Sequence, residues 1–275
     1  MVEEGYYAAG FLSYEAAPGF DAALKTKPPS GFPLLCFGLF EAPQQIEQPS
    51  AVAAYSADSA WSTQLSQDEF SGKIARIKDR LRAGDTYQVN FTMRRHKAFS
   101  GDPWELFTGF ASDAPYAAFI DLEEYAICSA SPELFFDLHE RTIRLRPMKG
   151  TAPRGMTLAE DRQRKKRLQM SAKDHAENAM ILDMIRNDIG KIADVGSISV
   201  DESFQLEKYP TVWQMTSSVS ARTSASVCNL MLSLFPCASI TGAPKVNTMN
   251  IINSLEDLPR EIYTGCMGFF SPKGD

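Results

Sequence analysis

Between Tyr116 and Arg146 four short apolar runs follow one another with only turns between them: Tyr116–Asp121, Tyr125–Cys128, Leu134–Asp137 and Thr142–Arg146. None of these intervals holds the dozen or so residues that a parallel crossover needs, so the runs are expected to pair as antiparallel strands. Helical signals stand apart from them. Ser66-Gln-Asp-Glu69 has the form of a capping box, with Leu65 and Phe70 at staple spacing. Phe70, Ile74, Ile77 and Leu81 follow at steps of 4, 3 and 4, one apolar stripe that Gly84 ends. Strands cluster and helices do not alternate with them, which argues for an α+β fold of antiparallel sheets with helices packed outside.

The rest of the chain is read the same way. Residues 1–60 form a strand-rich N-terminal segment, with strands at Gly10–Tyr14 and Leu34–Phe40 and a connecting loop over 41–60. Residues 61–275 form the main domain. Tyr87–Thr92 reads as a strand, and the charged stretch Glu160–Arg167 as either a solvated helix face or a mobile loop. A second helix opens at Ser171 and runs toward Gly190. Leu230–Phe235 is a short apolar helix closed by Pro236. Pro244 is placed for the first turn of a third helix carrying Val246, Met249, Ile252 and Leu255. Tyr263–Phe270 reads as a strand, and Pro272–Asp275 as a hairpin turn with no second strand, from which the chain is expected to be cut at its C-terminal end.

Composition removes several function classes. The net charge of −6 gives a nucleic-acid partner no electrostatic support. No apolar run approaches the ~18 residues of a membrane span, and Met1-Val-Glu-Glu lacks the basic start of a secretory signal. The 5 cysteines are an odd number with no CxxC pair, read as reduced, mostly buried thiols of a cytoplasmic protein. His96, His139 and His175 do not fall at zinc-ligand spacing from them.

Four groups of residues could carry chemistry. Glu133, in Ser131-Pro-Glu133, precedes Lys149 by two strands and a turn. A buried Lys149 would be a neutral amine nucleophile with Glu133 as general acid; otherwise the pair is a surface lysine and an edge glutamate. Asp174 and Glu177 share one face near a helix start, where they either hold Mg²⁺ or complement the helix dipole. Ser239-Ile-Thr-Gly-Ala-Pro-Lys245 is a small-residue loop entering a helix, either a carboxylate seat with Ser239, Thr241 and Lys245 as donors, or a plain cap. Arg186, Asn187 and Asp188 near a helix end favour pinning a neighbouring loop over touching a ligand.

In order and spacing, Gly84–Asn90, Ser131–Glu133, Pro147–Thr151, Lys173–Asn178, Asp183–Asp188, Ser239–Lys245 and Tyr263–Gly265 together resemble the chorismate-utilising enzymes. The resemblance covers nearly the whole chain and implies the anthranilate synthase component I-like fold, with residues 61–275 as the chorismate-binding catalytic domain. It is nearest to the aminodeoxychorismate synthase branch, which turns chorismate and ammonia into 4-amino-4-deoxychorismate for para-aminobenzoate and folate synthesis. Lys149 carries that likeness, since the anthranilate branch has Ala there. Gln88 stands where water-adding members place a Lys base, and Gln cannot be that base. Gly10–Ala17 and Val212–Ser217 look like members often fused to a lyase domain, which these residues do not contain.

The resemblance implies roles. Lys149 would attack the ring and Glu133 would protonate the departing hydroxyl. Glu177, with Asp174 assisting, would bind Mg²⁺ against the ring carboxylate, and Ser239, Gly242 and Tyr263 would seat the substrate together with Gln88 and Gln214. Gln214 departs from the family's His, which leaves its role open. The family's final segment, with an Arg, a Gly-rich turn and a second Mg²⁺-binding Glu, is missing, so the chain by itself is expected to have little activity. A separate glutamine amidotransferase subunit is expected to supply ammonia. The alternatives are an anthranilate-forming enzyme, an inactive fragment that binds chorismate or the amidotransferase, and a generic α+β binding protein.

Overall fold

The computed structural model describes residues 4–47, 60–111 and 113–272, so most of the expected 272–275 turn and the 48–59 part of the connecting loop lie outside the described residues. β1 (Tyr7–Leu12) is the middle strand of a sheet ordered β12-β1-β2, with β2 at Leu35–Phe40 and β12 at Cys266–Phe270. The first strand therefore ends before Ser13 rather than running to Tyr14. Ser13 turns the chain by bonding Pro33 and Leu34 carbonyls, and a 3-10 turn at Tyr14–Ala16 leads into α1 (Ala17–Phe20). Tyr263 likewise falls in a turn, with Glu261 and Thr264 at positive φ, and the final strand begins only at Cys266.

The capping box at Ser66 forms as expected and starts α2 (Gln67–Arg82). The Glu69 N–H donates to Ser66 Oγ, and the Ser66 N–H donates to Glu69 Oε2 at 2.8 Å. Ile74 and Ile77 pack on Ile251 and Leu255, Phe70 meets the Phe91 ring, and Leu81 stays exposed. Replacing Ser66 with Ala should cost about 1 kcal/mol of stability, seen as a lower denaturant midpoint at constant slope. A midpoint unmoved by the change would mean that the box is idle.

β3 is only Gln88–Val89, shorter than the expected Tyr87–Thr92, because its partner β11 (Gly242–Ala243) is a two-residue stretch between helices. The four central runs form two hairpins rather than one meander. β4 (Tyr116–Asp121) pairs β5 (Ala126–Ser131), with an unanticipated α3 (Pro103–Ala111) packed against them. β6 (Leu134–His139) pairs β7 (Thr142–Arg146). Pro132 lies in the joint between the hairpins, where a residue without an N–H suits a break in pairing, and Glu133 follows it.

β7 and β8 (Met148–Pro153) lie end to end along one edge of β10 (Val212–Arg222), interrupted at Pro147. β9 (Ser199–Lys208) lines the other edge of β10. Lys149 is thus the second residue of β8, just past the break at Pro147. On the helical face, Ile143, Leu145, Val219 and Ala221 pack against Ile181, Ile185 and Ile189 of α5 (Ala172–Gly190) and Leu230 and Leu234 of α6 (Val227–Leu234). Leu168 of α4 (Leu158–Gln169) covers Trp213 and Met215. The charged stretch 160–167 is therefore helical, and its Asp161 is buried, accepting from Arg154, Gly155 and the Trp213 indole. The chain then runs through α7 (Ala238–Thr241) and β11 into α8 (Lys245–Leu255), for which Pro244 is the cap rather than the first turn. Val246 of α8 points outward at 40% exposure, while Met249, Ile252 and Leu255 are buried.

Candidate functional site

Glu133 leaves the β5–β6 joint, Lys149 follows the Pro147 kink, and Ser239 comes from α7, and these three converge. The Ser239 hydroxyl donates to Glu133 Oε1 at 2.6 Å, and the Met148 N–H approaches the same oxygen at 3.4 Å. Burial pushes the Glu133 carboxyl above its ordinary value, against the lowering pull of Ser239, Met148 and the Lys149 charge. Burial also pushes the Lys149 amine below its ordinary value, against the pull of Glu133, Glu177 and Cys237. A pair poised this way can hold an amine as nucleophile next to a carboxylic acid as proton donor.

The shift at Glu133 has a consequence for stability. A folded-state value raised above the unfolded 4.5 means that the folded protein holds the proton longer. That contribution is fully present below 4.5 and is lost as pH rises through the folded value. Replacing Glu133 with Gln should therefore gain stability relative to the parent as pH rises from 4 to 8, compared by urea unfolding at each pH. A difference between the two proteins that stays flat with pH would refute the shift.

α5 brings the acidic pair to the same place. Asn178 donates to the Lys149 carbonyl at 3.1 Å and to the Met215 carbonyl at 3.4 Å, and it accepts from Ser217 Oγ at 2.6 Å. Gly150, at φ +98°, lets the helix come close: a Cβ there would stand 3.1 Å from the Asp174 Cβ. Glu177 and Asp174 are both half-buried one turn before and beside this clip. Glu177 pairs with the largely exposed Lys173 at 3.2 Å and acts on the Lys149 charge. Among the described residues no three His, Cys, Asp or Glu side chains gather to hold a metal. Mg²⁺ commonly takes only one or two protein carboxylates and fills its shell with water and substrate oxygens, so this pair suits it.

The 239–245 segment departs from the expected anion seat. Ser239 and Thr241 lie in a short helix, and the Gly242 N–H is spent on the Ala238 carbonyl. The Thr241 hydroxyl bonds Cys237 and Ala238 carbonyls, and Lys245 Nζ is held by Asp188 Oδ2 at 2.7 Å. Only Ser239 of these donors faces Glu133. Asp188 thereby ties the end of α5 to the start of α8, the pinning role expected for the 186–188 stretch.

Gln214 and Thr151 are cross-strand partners, with the Thr151 hydroxyl donating to Gln214 Oε1 at 2.7 Å. Gln88 Oε1 is buried without a hydrogen-bond partner among the described residues. Tyr263 is 58% exposed and acts on the Arg260 charge. Cys237 stands 3.2 Å from Ser239. Cys228 is exposed and the other four cysteines are half-buried as whole residues, while burial pushes the Cys128, Cys237 and Cys266 thiols up. Asn178, Ser217 and Cys237 were not singled out from the sequence. For Asn178 the available signal was a polar residue in phase with Ile181 and Ile185 on an otherwise apolar stripe.

The family model for chorismate binding enzymes matches residues 2–275. The chain is 42% identical over 231 residues to "Aminodeoxychorismate synthase component 1" of Klebsiella aerogenes, covering 82% of this chain and 51% of that protein. It is 33% identical over 219 residues to "Anthranilate synthase component 1" of Aquifex aeolicus, covering 78% of this chain and 44% of that protein. The fold matches the crystal structure of anthranilate synthase component I from Streptococcus pneumoniae with a TM-score of 0.85 at 22% identity, over 98% of this chain and 70% of that one. The chain spans about half the length of the curated relatives it matches.

Proposed function

Because the chain belongs to the family of chorismate binding enzymes, we propose that it carries the catalytic centre for making 4-amino-4-deoxychorismate from chorismate and ammonia. The observation that supports this over its siblings is the Lys149–Glu133 pair, with a desolvated amine next to a carboxyl biased toward its acid form. Lys149 attacks ring carbon C2, both conjugated ring double bonds shift toward C4, and the C4–O bond breaks. Glu133 gives its proton to the departing oxygen, which leaves as water. Ammonia then bonds to C4, both double bonds return to their original places, and the C2–Lys149 bond breaks. The Glu133 carboxylate takes the surplus proton from the new amine and is reset. Two allylic displacements replace one hard substitution. Glu177 and Asp174 are the carboxylates that would hold Mg²⁺, and that ion neutralises the substrate's ring carboxylate when bound.

Ammonia comes, on this reading, from a glutamine amidotransferase partner, consistent with the "component 1" in the relatives' names. Three of the chain's own thiols are poor candidates for glutamine hydrolysis, since burial raises Cys128, Cys237 and Cys266 away from the thiolate. Calorimetry of the chain with chorismate and Mg²⁺ tests the binding half of the proposal. Mass analysis of the product, from a polypeptide of the relatives' length supplied with ammonium, tests the rest. Anthranilate as the product would assign the chain to the sibling reaction. An absence of chorismate binding would overturn the proposal.

A further inference from the structure

The Cys237 thiol takes no part in the steps above, yet its contacts give it a task. Its Sγ lies 3.2 Å from Ser239 Oγ, and that hydroxyl donates to Glu133 Oε1 at 2.6 Å. The Met148 N–H, which can only donate, approaches the same Oε1. The carbonyl oxygen of a protonated carboxyl accepts more strongly than its hydroxyl, so two donors aimed at Oε1 favour the acid's hydrogen on Oε2. The Ser239 hydrogen is then committed to Oε1, and the Oγ lone pairs are free for a donor. Burial holds the Cys237 thiol up at about 11, so it stays S–H and supplies that donor. Donation therefore runs one way, from sulfur to hydroxyl to carboxyl.

We propose that Cys237 and Ser239 are positioning residues whose donor chain holds Glu133 with Oε1 accepting and the transferable proton on Oε2. The inference rests on Glu133 being the proton donor of the reaction proposed above, and it moves Ser239 from the substrate to the acid. Neither residue needs to touch chorismate. A carboxyl fixed this way presents one oxygen, always protonated on the same side, to the leaving group.

Infrared difference spectroscopy of the chain between low and high pH tests the geometry without substrate. The carbonyl stretch of protonated Glu133 is identified as the band that Glu133→Gln removes. Ser239→Ala should move this band to higher wavenumber, because the carbonyl oxygen loses its closest donor. Cys237→Ala should move it the same way by less, and Ser239→Thr should return most of the shift. In kinetics, Ser239→Ala should lower kcat about tenfold while KM for chorismate stays within about twofold. An unmoved band in Ser239→Ala, or a raised KM at constant kcat, would overturn the proposal. If Ser239→Ala does not fold, an unmoved band in Cys237→Ala overturns it. A shifted band in a protein that never turns over chorismate would overturn the functional reading and leave the donor chain standing.

Discussion

Replacing Lys149 with Ala is expected to lower the rate of aminodeoxychorismate formation by about a thousandfold, the scale lost when a covalent nucleophile or its proton-transfer partner is removed. The amine is the group that makes the first bond, and among the described residues no other lysine acts on the Glu133 carboxyl. Lys245 is held by Asp188, and Lys173 is largely exposed and paired with Glu177. Neither can take over the attack. The measurement is chorismate consumption with ammonium as nitrogen donor, compared with the same polypeptide carrying Lys149. A rate within a few-fold of the parent would favour the anthranilate reading, in which this position carries no nucleophile. Lys149→Arg separates charge from nucleophilicity. It keeps a cation between Glu133 and Glu177 but offers no neutral amine, so it should be as slow as Lys149→Ala.

Gly242→Ala is expected to cost about 3–5 kcal/mol, among the larger losses a single residue can cause. Gly242 sits at φ +141°, a conformation L side chains rarely adopt, and a Cβ there would lie 2.0 Å from the Gln88 carbonyl oxygen. The obstructing atoms are backbone and the Thr248 methyl, so there is no flexible end to move aside. The neighbourhood is also committed. Thr86 Oγ1 contacts the Ala243 carbonyl at 2.8 Å and Thr248 Oγ1 at 2.7 Å, and the Asn90 N–H donates to the Thr241 carbonyl at 2.9 Å. Relieving the clash would pull β11 from β3 and shift α7, which carries Ser239. The melting temperature should fall by roughly 6–20 °C, at about 2–4 °C for each kcal/mol in a chain of this size. A loss below about 1 kcal/mol would mean that the segment can relax, and that Gly242 is not what seats α7.

The composition and the local patterns carried the fold a long way. The capping box at Ser66, the stripe through Ile74 and Ile77, the stop at Gly84 and the Ser171 start all follow from hydrogen bonds within a few residues, and all were realised. The strand expected over Tyr87–Thr92 is only Gln88–Val89, because β propensity says nothing about how long the partner is. β9 was missed because most of its residues face solvent, so no apolar alternation marks it. β10 was missed because its inward row is broken at Ser217, which is polar there in order to hold Asn178.

The sequence by itself determined which residue types were available, and their order was enough to point to a family. Only the tertiary structure decided which of them are free to act. Glu133 and Ser239 are 106 residues apart and share a hydrogen bond. Thr241, Gly242 and Lys245 look equally able to bind a ligand, yet each has its donor occupied by the protein. Spacing cannot reveal this, because a buried donor takes whichever acceptor folding brings within about 3 Å, and a donor already satisfied has little left to offer a substrate.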